Sequence, residues 1–286
     1  MTLPPFDLHR AASVEEAGEL LQRYGEDAAV HCGGTELLLL LKLGFASYGH
    51  LVDIKPIEEL KGISIDDGAL TIGSTVTHRE IERSPLVAEH LPALAGMERR
   101  VANLRVRTVG TLGGNLCFSD PHSDPASFLL ALDAQIDCRQ GESSPRRLPL
   151  SEFLLGPYQT ALQPGELLTR IVIPVPAVGT TIVHEKISFH ERPAATITVA
   201  LREEAGRFAD VRIAIGSVGP RAVRVPEAER TLVGSETSDD AAVEQAAGIA
   251  AVAAGPVDDS NGSAEYKANL VEVLVRRCVL GTLPVR

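Results

Sequence analysis

The sequence predicts an α+β protein in two parts, and three observations carry that prediction. Up to about residue 176, helix-period segments alternate with short apolar runs. The stretch Pro174–Gly179 reads as a linker. Beyond it come three strand-like runs and then two helices, the order of an antiparallel sheet backed by helices.

Each element follows from local pattern. Residues 13–24 form a helix: Ser13 and Glu16 make a capping box, Val14, Ala17, Leu21 and Tyr24 share a face, and Gly25 ends it. A strand over Ala28–Cys32 runs into Gly33-Gly34-Thr35-Glu36, followed by a Leu-rich helical turn reaching Lys42 and Gly44. His50–Ile54 is another strand. Ile63 and Ile65 alternate with polar neighbours, Asp67-Gly68 turns the chain, and Leu70 and Ile72 return, so 63–73 is a hairpin. Thr77 and Glu80 suggest a second capping box, and helical sequence covers roughly 91–105. A second glycine loop spans 108–115. Asp124-Pro125 reads as an N-cap with proline at the first helical position, opening a helix to about Asp133. Strands at 134–139 and 167–175 follow, with Pro164-Gly165 as the turn before the second. Next come strands over His184–Phe189, Ala195–Arg202 and Arg207–Val218, the last two joined at Ala205-Gly206. Helices at about 239–254 and 263–279 close the chain, the first alanine-rich and closely packed. Tyr266, Leu270, Val273, Leu274 and Cys278 line one face of the second.

Composition excludes several classes. The chain has 286 residues, enough for two cores, and Lys plus Arg is 27 against Asp plus Glu at 38, for a net charge of −11. Phosphate-tracking nucleic-acid binders need a basic surface, and aromatics are only 4%, so base stacking has little to work with. The longest Leu run, Leu37–Leu41, is far short of a membrane span. Cys32, Cys117, Cys138 and Cys278 are scattered, with no C-x-x-C pair, which reads as reduced thiols in a cytoplasmic protein with no iron–sulfur or zinc cradle. The histidines show no metal-ligand spacing; His122-Ser-Asp124 and the pair His184 and His190 come nearest. Ser119 and Ser123 lack the setting of a hydrolase nucleophile, and no side chain is expected to act as a catalytic residue.

The sharpest features are two glycine loops, C-G-G-T-E at 32–36 and T-L-G-G-N at 111–115. Consecutive glycines bring backbone N–H groups close to an anion, and Thr35, Thr111 and Asn115 add short polar side chains. A diphosphate between two such loops is physically sensible; two plain tight turns are the alternative. Neither loop has the G-x-G-x-x-G or P-loop pattern, so a Rossmann domain and a P-loop NTPase both fit poorly.

Val30-His-Cys-Gly-Gly-Thr-Glu-Leu-Leu and V-G-T-L-G-G-N-L-C at 109–117 resemble the FAD-binding medium subunit of the carbon monoxide dehydrogenase and xanthine dehydrogenase family. The resemblance spans nearly the whole chain. It includes F-D-L-H-R at 6–10, P-G-E-L-L at 164–168, I-G-S-V-G-P at 215–220 and A-E-Y-K-A-N-L from 264. It implies an FAD domain of the vanillyl-alcohol-oxidase (PCMH) type over 1–176, with subdomains of about 1–55 and 56–176. A C-terminal domain of the CO dehydrogenase flavoprotein type, an antiparallel sheet with helices, would cover 180–286.

By position, the resemblance assigns FAD contacts to His31, Cys32, Gly33, Gly34, Thr35, Glu36 and Leu37, and to Thr111, Leu112, Gly113, Gly114 and Asn115. Ser123 and Asp124 match a cofactor-contacting pair, Leu168 a residue near the flavin ring, and Lys186 a basic residue at the ring's polar edge. Other roles stay open: an N-cap for Asp124, strand core for Leu168, a solvated surface for Lys186, and a favourable helix start for Glu36. The sequence departs from the family after Lys186, where I-S-F-H-E-R-P-A-A replaces an Arg-rich stretch followed by Asp. Thr108 stands where Asn is common.

The resemblance further implies an oxidoreductase subunit that passes electrons through FAD. Its partners would be a small subunit with two 2Fe–2S clusters and a large molybdopterin subunit, arranged as a dimer of heterotrimers. A self-sufficient FAD oxidase or reductase, or an assembly subunit that has lost FAD, are the other readings.

Overall fold

The structure is a computed structural model describing residues 2–189 and 192–281; His190, Glu191 and the expected chain end from Thr282 lie outside the described residues. Three sheets carry it, beside a two-stranded one of Leu154–Gly156 and Gln159–Thr160. Asp7–Arg10, His50–Asp53 and Ala28–His31 form a small parallel sheet with His50–Asp53 in the middle. A five-stranded antiparallel sheet runs in the order Ile63–Asp66, Ala69–Gly73, Leu167–Pro174, Gln135–Arg139, Arg146–Pro149. The third, also antiparallel, orders Thr180–Ser188, Pro193–Glu204, Arg207–Gly216 and Val223–Arg224.

Both hairpin turns follow the expected chemistry. Asp67-Gly68 and Ala205-Gly206 take positive φ at both positions, the geometry whose twist matches the flanking strands. The Thr77–Glu80 capping box forms in full. At the first helix, Val14–Tyr24, Ser13 caps the Glu16 amide, but the Glu16 carboxylate reaches back to Ala12 N–H rather than to Ser13.

Several expectations need correcting. The single helix over 91–105 is two, Pro92–Glu98 and Leu104–Arg107, because Ala102 turns left-handed and Asn103 caps a new start. The second glycine loop is the first turn of a helix, Leu112–Phe118, with the Thr111 hydroxyl capping the Gly114 amide. Ser123, not Asp124, is the N-cap of helix Asp124–Ala131; Asp124 and Pro125 are its first two residues. In the last helix, Ala264–Gly281, the inward stripe is Lys267, Val271, Leu274, Val275 and Cys278, while Tyr266 and Val273 are 40% and 50% exposed. Of the expected face, Leu274 and Cys278 point inward and Leu270 is partly buried against the core, while Lys267, Val271 and Val275 take the places of Tyr266 and Val273.

All eight residues of Asp124–Ala131 are buried, between helices Pro92–Glu98 and Leu112–Phe118 on one side and the Pro193–Glu204 and Arg207–Gly216 strands on the other. Ser127 Oγ donates to Thr196 Oγ1 at 3.0 Å across that junction. On the far face of the third sheet, helix Asp240–Ala253 turns Ala246, Ala247, Ala250 and Ala251 inward. Their small side chains let it lie close against Ala264–Gly281.

Candidate cofactor site

The two glycine segments meet. A Cβ on Gly33 would run into the Val109 carbonyl oxygen and lie 2.8 Å from Gly110 Cα. The second segment is anchored in turn: His78 N–H donates to Gly110 O at 3.0 Å and Leu112 N–H to Val76 O at 3.1 Å. A Cβ on Gly113 would sit 2.5 Å from Ser74 O, so glycine is required there for backbone to approach backbone. Gly34 has φ +69, the left-handed region that glycine enters without strain.

Both segments open onto one cavity of about 490 Å³. Of the expected contacts, Cys32, Gly33, Gly34, Thr35, Glu36 and Leu37 line it from the first segment, and Thr111, Gly113, Gly114 and Asn115 from the second. Ser123, Asp124 and Leu168 line it as well. Leu168 stands at a register shift of its strand, the kind of irregularity that re-aims a side chain. Three expected residues stand back from the wall. Leu112 is fully buried core. His31 reaches Lys55 Nζ at 3.4 Å. Lys186 pairs with Asp124 Oδ2 at 2.8 Å and donates to the Arg100 carbonyl at 2.6 Å, so it is a partly buried counter-ion rather than a solvated lysine.

The wall has the chemistry to hold a polar ligand. Ser74 and Asp124 line the cavity, and Ser74 Oγ and Asp124 Oδ1 have no hydrogen-bond partner among the described residues. Buried polar atoms are rarely left this way, so each points to a group from outside. The N–H groups of Gly34, Thr35 and Gly113 have no assigned protein acceptor among the described residues. With no room for side chains at Gly33 and Gly113, this is a backbone cradle for an anion.

Electrostatics at the wall is closely managed. Burial pushes the Asp124 carboxyl up, with Lys186 pulling the other way. Glu166 is forked by Arg146 at 3.1 and 2.7 Å. Burial also raises the Cys117 thiol to about 12, so it is not a nucleophile there. Cys32 is raised too, by burial, against the opposing Thr111 hydroxyl. His78 is held by Glu98 at 2.6 Å, both buried. The described residues contain no group of three or more ligands suited to a metal ion.

No local pattern points to Ser74, His78, Asp120, Arg192 or Glu166 as wall residues. Ser74 follows directly on a hairpin strand, and Arg192 lies in the stretch that departs from the family pattern. His122, considered beside Asp124 as a metal pair, instead bonds Asp259 Oδ2 at 2.9 Å and lies 3.4 Å from Asp120 Oδ1. Asp120 is its first source of raised basicity, and Asp259 adds to it against burial.

A backbone cradle with two orphaned polar atoms on its wall defines a binding site for an anionic cofactor. The family model for the FAD binding domain in molybdopterin dehydrogenase matches residues 4–176, and that for the CO dehydrogenase flavoprotein C-terminal domain matches 190–282. The chain belongs to the family of FAD-binding medium subunits of molybdopterin dehydrogenases, and its cofactor is FAD. It is 33% identical to the carbon monoxide dehydrogenase medium chain of Hydrogenophaga pseudoflava, over 98% of this chain and 97% of that one. It is also 33% identical to the nicotine 6-hydroxylase medium subunit of Paenarthrobacter nicotinovorans, over 98% of each. A solved carbon monoxide dehydrogenase from Hydrogenophaga pseudoflava superposes with a TM-score of 0.94, covering 99% of this chain and 100% of that one. No described helix is long and apolar enough to cross a membrane.

Proposed function

We propose that this chain relays electrons from a partner's iron–sulfur clusters through FAD to an external acceptor, and does not itself bind the organic substrate. The single observation that carries the reading is the convergence of Gly33 and Gly110–Gly114 on one cavity with unpaired N–H groups. When bound, FAD exchanges electrons singly or in pairs and so joins a one-electron relay to a two-electron acceptor.

This chain's residues bind and orient. Gly33, Gly34 and Thr35 on one side and Thr111, Gly113, Gly114 and Asn115 on the other would hold the diphosphate. Ser74 Oγ and Asp124 Oδ1 would offer their free valences to the cofactor, and Leu168 would pack against it. Lys186 acts through Asp124, holding its carboxylate in place. His31 and Leu112 act from behind, one beside the Gly34 turn and the other in the core.

The same reading divides the chain into an FAD-binding domain over 1–176, with subdomains of about 1–55 and 56–176, and a C-terminal domain over 180–286. The partners are a small subunit with two 2Fe–2S clusters and a large molybdopterin subunit, in a dimer of heterotrimers in the cytoplasm. Relatives named as the medium chain of carbon monoxide dehydrogenase and the medium subunit of nicotine 6-hydroxylase support a multi-subunit setting.

The test is anaerobic. In the assembled complex, a substrate of the large subunit should bleach the flavin; in the FAD-loaded chain alone it should not. Bleaching in the chain alone would make it a self-sufficient oxidase or reductase and end the relay reading.

A further inference from the structure

Four carboxylates line the cavity: Glu36, Asp120, Asp124 and Glu166. That is an awkward wall for a cofactor carrying a dianionic diphosphate. Two of them are neutralised from behind, Asp124 by Lys186 and Glu166 by Arg146, and neither cation reaches the wall. The other two share one cation. Arg192 Nη1 pairs with Asp120 Oδ2, and Arg192 Nη2 lies 3.3 Å from Glu36 Oε2. Among the described wall residues Arg192 is the one lysine or arginine.

Asp120 is also held from its other side. His122 lies 3.4 Å from Asp120 Oδ1, His122 Nε2 bonds Asp259 Oδ2 at 2.9 Å, and fully buried Lys267 meets that same oxygen at 2.5 Å. Carboxylates therefore alternate with basic side chains from the last helix through the cavity wall to the first glycine segment. Arg192 is the link that spans to Glu36.

We propose that Arg192 is a cofactor-positioning residue: by neutralising Asp120 and Glu36 together, it makes the first glycine segment able to accept the FAD diphosphate. The inference rests on the FAD reading of this cavity and adds a requirement to it. A planar guanidinium suits the task because it can face two carboxylates at once, which an ammonium does less well. Without Arg192 the wall keeps two carboxylates with no arginine or lysine between them and the incoming anion.

The full-length apo chain would be titrated with FAD, following quenching of flavin fluorescence, at low and at 1 M salt. Arg192→Gln should weaken binding by about tenfold or more at low salt. The loss should shrink markedly at 1 M salt, where the screening length falls to about 3 Å. Arg192→Lys should retain most of the affinity, and Arg192→Gln/Asp120→Asn should recover part of the Arg192→Gln loss. Arg192 is 45% exposed in its side chain, so these variants should fold, and circular dichroism would check it. Unchanged affinity in Arg192→Gln, or a loss that neither salt nor Asp120→Asn reduces, overturns the inference while the FAD reading stands. A wild-type chain that takes up no FAD overturns both.

Discussion

Substituting Gly33 with alanine tests the convergence of the two glycine segments directly. The new Cβ would overlap the Val109 carbonyl oxygen and stand 2.8 Å from Gly110 Cα and 3.0 Å from Val109 carbonyl carbon. Carbon atoms prefer about 3.5–4.0 Å, so the segments must separate by roughly 1 Å. All the atoms met are backbone, so no side chain can swing aside. Overpacking of this kind costs about 1–3 kcal/mol. If that strain is relieved by spreading the cradle, FAD affinity falls about 5- to 150-fold, at tenfold per 1.4 kcal/mol. The assay is FAD titration of the apo chain, with Gly248→Ala as control. Gly248 sits in helix Asp240–Ala253 with nothing near its Cβ position, so alanine there should raise stability by about 0.5–1 kcal/mol and leave affinity alone. Wild-type affinity in a folded Gly33→Ala protein would refute the claim that these segments grip one diphosphate.

Ser74→Ala should weaken FAD binding by about 0.5–1.5 kcal/mol without lowering the melting point of the apo chain, because the hydroxyl has no protein partner to lose; a lower apo melting point with unchanged affinity would show a structural role instead. Lys267→Met should cost about 1 kcal/mol or less, since the Asp259 it pairs with stays in water, whereas Asp259→Asn, which leaves the fully buried ammonium without a carboxylate, should cost about 3 kcal/mol in urea melts. A smaller loss in Asp259→Asn than in Lys267→Met would mean that packing, not charge, holds Lys267. His184 is pushed down to about 3, first by burial and then by Arg100 and Lys186, from 6.5 when unfolded. The unfolded state thus binds the extra proton first, so this contribution is complete above 6.5 and shrinks as pH falls toward 3, by up to about 1.4 kcal/mol per pH unit. Urea melts at pH 7 and 5 should differ less in His184→Asn than in wild type, and equal differences would contradict the assignment.

Much of this was legible because the signals are local. Asp67-Gly68 and Ala205-Gly206 fold as dipeptides, and Thr77 with Glu80 needs only four residues to close its box. The glycine segments were legible as a pair, although the second was taken for a loop: Gly113 and Gly114 disguise a helix that Thr111 caps. Strand Asp7–Arg10 was not found, since its apolar content is a single leucine and its parallel partner lies more than forty residues away. The wall residues Ser74, Glu166 and Arg192 escaped for the same reason. Nothing near them in sequence states that the Leu167–Pro174 strand and the start of Pro193–Glu204 will close around residues 33 and 113. Lys267 misled outright, because a lysine at a helix position reads as solvent-facing until its distant partner Asp259 is known.

The ion pair between Lys186 and Asp124 has a practical consequence for engineering. The anion opens the helix buried at the junction, and the cation comes from the first strand of the third sheet. A fragment stopped near residue 176 would keep every glycine of the cradle yet leave Asp124 without its counter-ion and the apolar helix it opens without its cover, and would also lack Arg192 and Pro193 from its rim. Chimeras built from two relatives should therefore exchange the cradle and the third sheet as one unit, since neither piece carries a finished cofactor compartment.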